Sequence, residues 1–284
     1  MSPSTSDAST RAPNTAERRG KRRLDQLLVD RGLAPSRERA RAFILAREVL
    51  VNGQVALRAA APTVEDAEIA LKETSRFVSR GGNKLVHALE RTGITIEGRR
   101  CLDVGASTGG FTDCLLQHGA AHVTSVDVGY GQISPSLRDD PRVDVVERTN
   151  ARELEPLELP AALLVMDVSF ISATTVLPAV LRSLEPGADL LILVKPQFES
   201  SPADVEKGGV VRSGKVRSDA LDQVAGAARG LGWSVVGGHP SPLRGPAGNW
   251  ECFLQLCLDN GATDRLDAVS AIDVPDDALS GARP

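Results

Sequence analysis

The stretch Leu102-Asp103-Val104-Gly105-Ala106-Ser107-Thr108-Gly109-Gly110-Phe111-Thr112-Asp113-Cys114-Leu115-Leu116 constrains the rest of the chain more than any other. An apolar run interrupted by Asp103 passes through small residues and re-emerges with Phe111, Leu115 and Leu116 at helical spacing. That order predicts a buried strand, a tight glycine turn and a helix N-terminus. The missing side chains let a ligand reach the backbone, whose unpaired N–H groups point at it. A second run, Val123–Asp127, ends in a carboxylate roughly 20 residues past the first glycine, where a nucleotide-type ribose is gripped. Gly105, Gly109 and Gly110 do not follow the G-x-G-x-x-G spacing that cradles a diphosphate, so S-adenosylmethionine is expected rather than NAD. Asp103, Gly105, Ser107, Thr108, Gly109, Gly110 and Asp127 are the candidate cofactor residues of this stretch.

From Asn83 onward strands and helices alternate, the pattern of a parallel α/β sheet. Strands are predicted at Arg100–Val104, His122–Asp127, Val143–Glu147, Leu163–Asp167, Leu190–Lys195, Trp233–Gly237 and Trp250–Leu258. The last two are joined by a Gly/Pro loop, Gly238 to Gly248, and so form a terminal hairpin. This arrangement matches the class I (Rossmann-like) seven-stranded methyltransferase sheet, in which Asn150 would meet the adenine end of the cofactor. Parallel strands deliver functional groups at their carboxyl ends. Here those ends are Asp127, Asp167 and Lys195, with Asp167 a further cofactor candidate. Lys84 lies ahead of the first strand, and Glu251 stands within the final one where an apolar residue is expected. Charged groups capping apolar strands are costly without a purpose, although an Asp167–Lys195 pair serving only as a cap stays open. Two lysines and two carboxylates suit activation of a weak hydroxyl nucleophile: a lysine orients it and stabilises, or deprotonates, its oxygen, while the acids hold the lysines. No metal-ligand cluster, P-loop lysine or G-x-S-x-G elbow is visible, so neither a metal site nor kinase or hydrolase chemistry is expected.

The first third is different in kind. Formal net charge is −4, which argues against a nucleic-acid partner until its distribution is considered. Arginines and lysines crowd the segment from Arg18 to Arg58, while acidic residues collect after Asp259. The expected organisation is a disordered leader over 1–20, a basic module over 21–74, a linker over 75–82, a catalytic domain over 83–260 and an acidic flexible tail over 261–284. Within the module, Leu24, Leu27 and Leu28 define a short helix ended by Gly32, and Ser36 caps a second. Asn52-Gly53 between two β-prone runs signals a hairpin. Aromatic residues make up only 3% of the chain, so base stacking is not expected to dominate RNA contacts. The four cysteines show no C-x-x-C spacing, and no apolar run reaches the ~18 residues of a membrane span. With no signal-like N-terminus either, a cytoplasmic protein is expected, with a monomer the favoured state.

Arg23-Leu24-Asp25-Gln26-Leu27-Leu28, Ser36-Arg37-Glu38-Arg39-Ala40 and Val51-Asn52-Gly53 resemble an S4 RNA-binding domain, a small α+β module. That resemblance implies phosphate contacts from Arg23, Arg37, Arg39 and Arg41. The order Lys84, Asp167, Lys195, Glu251 resembles the catalytic tetrad of FtsJ-type ribose 2′-O-methyltransferases. Together with Ser79-Arg80-Gly81-Gly82-Asn83-Lys84-Leu85 and Val194-Lys195-Pro196-Gln197-Phe198-Glu199, it resembles the TlyA family over residues 21 to 258. Such membership implies S-adenosylmethionine-dependent 2′-O-methylation of cytidine in 16S and/or 23S ribosomal RNA, with ribosomal subunits as partners. It also implies sensitivity to capreomycin-class antibiotics. One departure is Phe77, where related proteins often carry tryptophan. Two alternatives are carried forward, a non-catalytic ribosome-assembly factor and a membrane-acting haemolysin.

Overall fold

The computed structural model describes residues 20–45, 47–71, 76–258 and 272–276. The chain divides between Thr74 and Ser75 into two compact units.

The first unit runs β1 (Lys21–Arg23), α1 (Leu24–Asp30), α2 (Arg37–Leu45), β2 (Val49–Val51), β3 (Gln54–Val55), β4 (Pro62–Val64) and β5 (Ile69–Leu71). Its core is the expected leucine face of α1, Leu24, Leu27 and Leu28, packed on Ala40, Ile44 and Val49. The Ser36 Oγ accepts from the Arg39 N–H at 3.2 Å, capping α2. Asn52 and Gly53 both take positive φ, 50° and 76°, the turn that matches the twist of the β2–β3 hairpin. Two pairings had no sequence signal: β1 with β4, and β5 along the other side of β2. Three-residue strands carry too little alternation to be recognised.

The second unit runs α3 (Arg80–Thr92), β6 (Arg100–Val104), α4 (Gly110–Gln117), β7 (His122–Val126), α5 (Pro135–Arg138), β8 (Val143–Val146), β9 (Ala161–Met166), α6 (Ala173–Val180), β10 (Leu184–Val194), α7 (Pro196–Glu199), α8 (Gly214–Gly230), β11 (Trp233–Pro240) and β12 (Cys252–Leu258). The seven-stranded sheet has the order β11-β12-β10-β9-β6-β7-β8, parallel except for β12 against both neighbours. Both faces are buried, as a covered parallel sheet requires. Leu164, Met166, Leu190 and Ile192 pack with α6 and α8, while the alternate residues Leu163, Val165, Leu191 and Leu193 pack with α3 and α4. Burial pushes the thiols of Cys101, Cys114 and Cys252 up to about 12, leaving them as protonated core groups.

Several boundaries differ from expectation. The linker is shorter, because Arg80, Gly81 and Gly82 form the first turn of α3 and Phe77 is buried with Leu85 and Phe111. Glu251 is not inside the final strand but immediately precedes β12. Asp127, Asp167 and Lys195 each follow the last strand residue rather than ending the strand. The leader (1–19) and most of the tail (259–271, 277–284) lie outside the described residues. Ile272–Asp276, expected to be free, is docked. Ile272 joins the core, the Pro275 carbonyl accepts from buried Arg217, and an Asp276 carboxylate oxygen accepts from the Gly214 N–H that opens α8. Among the described residues no helix is long and apolar enough to cross a membrane.

Candidate active site

The strand order reverses at β6, which has β7 on one side and β9 on the other, and the crevice above their carboxyl ends is the place where such sheets take ligands. Gly105 leaves β6 at φ +86°, and a Cβ built there would stand 2.6 Å from the Asp167 carbonyl oxygen. Only glycine lets the two strand ends come this close. Ser107 is held at φ +50° by Asp127, whose Oδ2 accepts from its N–H at 2.7 Å while Oδ1 accepts from Gly129 N–H at 2.7 Å. Gly109 precedes α4, and a Cβ at Gly110 would lie 2.2 Å from Ser79 Oγ.

A cavity of about 520 Å³ is lined by Gly105, Ser107, Asp127, Thr149, Asn150, Asp167 and Phe170. Asn150 Oδ1 also accepts from the Arg152 N–H at 3.2 Å, capping a short turn. A second cavity, about 260 Å³, shares Gly105, Ser107 and Asp167 and adds Thr108, Gly110, Arg80, Lys84 and Arg244. A third, about 500 Å³, is lined by Phe170, Lys195, Phe198, Gly208, Pro246, Asn249 and Glu251. Phe170 sits at its mouth, 91% exposed at φ +63°, with its ring 5.1 Å from that of Phe198.

The four charged candidates gather between these cavities as two pairs. Lys195 Nζ stands 2.6 Å from Asp167 Oδ1 and donates to Ser169 Oγ at 2.7 Å. Lys84, from the first turns of α3, reaches Glu251 Oε2 at 2.5 Å. Antiparallel register explains the neighbourhood: Val194 pairs with Cys252, so Lys195 and Glu251 follow side by side. Burial pushes the Glu251 carboxyl up while the Lys84 ammonium pulls it down, with a net rise. Its Oε1 is buried without a hydrogen-bond partner. Ser169 and Phe170 carried no sequence signal. They acquire significance only because β9 ends at Met166, three residues before Ser169.

Asp103 lies elsewhere. It is fully buried beneath α4, lines none of these cavities, and its Oδ2 accepts from Thr112 Oγ1 at 2.6 Å, Thr112 in turn lying 2.7 Å from Ser125 Oγ. Burial is the main force raising its carboxyl, up to about 7. A carboxyl raised above its unfolded value contributes stability that is complete below about pH 4 and lost as the pH climbs towards 7. Asp103→Asn removes that titration. The variant is expected to match the parent near pH 4 and to exceed it by about 4 kcal/mol at pH 8. Urea unfolding followed by Trp233 and Trp250 fluorescence checks this, both tryptophans being in the second unit; a pH-independent difference would refute it.

In the first unit, Arg23, Arg37 and Arg41 converge on Asp25, while Arg39 points to another face of α2 and stacks over Phe43 at 4.9 Å. The four expected RNA contacts therefore do not form one group. Residues 37, 39 and 41 alternate around a helix, so only 37 and 41 share a side.

Comparison with known proteins agrees with this architecture. Residues 77–258 match the FtsJ-like methyltransferase model and residues 22–62 the S4 domain. The chain is 50% identical over 238 residues to a Mycobacterium tuberculosis protein named 16S/23S rRNA (cytidine-2'-O)-methyltransferase TlyA, covering 82% of this chain and 89% of that one. It is 40% identical to Hemolysin A of Brachyspira hyodysenteriae, over 83% of this chain and all of the relative. A solved Streptococcus thermophilus structure described as a candidate hemolysin superposes with a TM-score of 0.68 at 36% identity, covering 89% and 95% of the two chains. With the S4 unit, the glycine turn and the Lys84–Asp167–Lys195–Glu251 cluster in one polypeptide, the chain belongs to the FtsJ-like methyltransferase family and, within it, to the TlyA group.

Proposed function

We propose that this chain transfers the methyl group of S-adenosylmethionine to the ribose 2′-oxygen of a cytidine in ribosomal RNA. The observation that carries the reading is the setting of Lys195. An ammonium has three N–H donors. Ser169 Oγ accepts one and Asp167 pairs with the ammonium at 2.6 Å, which leaves an N–H for a ligand oxygen beside the third cavity.

The residues fit the cofactor. The open floor at Gly105 would be closed by any side chain, and Asp127 caps the crevice with a carboxylate. The backbone at Thr108 and Gly110 would meet the methionine end, Asp127 the ribose and Asn150 the adenine. Asp103 would act from below, holding α4 through Thr112. S-adenosylmethionine, when bound there, supplies a methyl on a positively charged sulfur. Lys195 donates its remaining N–H to the 2′-oxygen, fixing the lone pair that attacks and stabilising negative charge on that atom. Asp167 holds the ammonium in place. Glu251 anchors Lys84, and its unpartnered Oε1 can accept from a second sugar hydroxyl. As the carbon–oxygen bond formed and the methyl–sulfur bond broke, releasing S-adenosylhomocysteine, the hydroxyl proton would grow acidic and leave to water. Phe170 and Phe198 offer apolar surface beside the reacting atom, a suitable wall for a pyrimidine extruded from its stack. Arg23, Arg37, Arg39 and Arg41 would contribute phosphate contacts. A ribosomal substrate places the protein in the cytoplasm.

Incubation with labelled S-adenosylmethionine and purified 30S and 50S subunits, followed by nucleoside analysis, tests the reading. The expected product is 2′-O-methylcytidine. Label on a base or on protein, or tight subunit binding without transfer, would replace it, the last with an assembly role.

A further inference from the structure

The basic surface of the first unit is organised around an acid. Asp25 is fully buried in the first turn of α1. Its Oδ1 accepts from Arg23 Nε at 2.9 Å, and its Oδ2 accepts from Arg23 Nη2 at 2.8 Å, Arg41 Nε at 3.2 Å and Arg37 Nη2 at 3.3 Å. The three arginine side chains themselves remain 47%, 46% and 57% exposed. One arginine would suffice to neutralise a buried carboxylate; three leave a surplus of two positive charges. Arg37 and Arg41 each spend one donor on the acid, so most of their guanidinium N–H groups stay available to a ligand. Binding through a free surface arginine requires its long side chain to be ordered at the moment of contact, whereas these three are already ordered. Arg22 and Arg31, by contrast, are engaged elsewhere, Arg22 with Asp30 at 2.6 Å and Arg31 with the Ala67 carbonyl at 2.7 Å.

We infer that Asp25 is a positioning residue for RNA binding: without touching RNA, it assembles Arg23, Arg37 and Arg41 into one site for a backbone phosphate. The inference rests on the reading that this chain acts on RNA. Its consequence runs against simple charge counting. Asp25→Asn makes the unit one charge more positive, and counterion release alone then predicts tighter binding with a steeper salt dependence. Positioning predicts the reverse, because the freed guanidiniums no longer meet a phosphate together.

The test uses the full chain and an rRNA fragment, with affinity measured across a salt series. Asp25→Asn is expected to weaken binding about tenfold and to lower the salt slope by about one. Arg37→Ala should weaken it comparably. In the Arg37→Ala background the further loss from Asp25→Asn should shrink, since the two act through one site. Equal or tighter binding by Asp25→Asn, with Arg37→Ala still weak, overturns the positioning role and leaves the RNA reading standing. Unchanged affinity in every variant, Arg37→Ala included, overturns the RNA reading itself. Amide exchange across Leu24–Asp30 reports whether Asp25→Asn folds. Should that protection vanish, Asp25→Glu keeps the charge but displaces it by one methylene. A several-fold weaker complex is then expected, and parental affinity overturns the proposal.

Discussion

Lys195→Ala lowers the single-turnover rate of methyl transfer by about 10³-fold, the usual cost of removing a positioned donor from developing charge. Affinity for S-adenosylmethionine should stay within about twofold, because Lys195 lines the cavity shared with Phe198 and Glu251, not the one floored by Gly105. Lys195→Arg keeps the charge but replaces a compact ammonium seated between Asp167 Oδ1 and Ser169 Oγ with a planar fork. It should recover little of the rate. Rapid-quench transfer to RNA and calorimetric cofactor titration separate the two quantities. A variant retaining more than a tenth of the parental rate would show that the lysine does not act on the reacting oxygen.

Gly105→Ala should be the most damaging small substitution in the catalytic unit. The new methyl would meet the Asp167 carbonyl oxygen at 2.6 Å, and the backbone would still be asked to hold φ +86°. Conformational strain and steric displacement together predict a loss of about 2–3 kcal/mol. Since residue 105 and Asp167 line both the 520 Å³ and 260 Å³ cavities, a shift between them should also weaken S-adenosylmethionine by at least about tenfold. Gly187→Ala is the control. It has a similar φ, +84°, with nothing within 4 Å of the added methyl, so only the backbone term of about 1 kcal/mol remains. Thermal unfolding that ranks the two equally would remove the steric argument.

Sequence made the strands legible because a sheet covered on both faces demands long apolar runs, and a charged residue ending such a run stands out. Asp127, Asp167 and Lys195 were visible on that ground alone. Glu251 is visible for a different reason, an acid amid apolar neighbours; the pattern predicts an interior strand residue, and the structure has it immediately before β12. Ser169 was invisible: a serine two residues past an aspartate is common, and only folding brings it to the Lys195 ammonium. Asp25 was hidden by the arginines around it, since an acid in the first turn of a helix has an ordinary explanation in the helix dipole. Its burial depends on Arg37 and Arg41 arriving from α2. The docked segment at Ile272 escaped notice because acidic composition masked one isoleucine and one valine.

That docked segment imposes an order of events on biosynthesis. Arg217, fully buried in α8, donates from Nε and Nη2 to the Val211 carbonyl and from Nη1 to the Pro275 carbonyl. Val211 in turn gives its N–H to Asn249 Oδ1, and Asn249 passes an amide proton to the Gly209 carbonyl in the wall beside Glu251. A chain emerging N-terminus first completes its glycine turn and its lysines long before residue 275 is made. Until then Arg217 is without the Pro275 carbonyl among its native partners. The wall of the neighbouring cavity is thus finished only once residue 275 is in place, well after the residues of the cofactor crevice have been made.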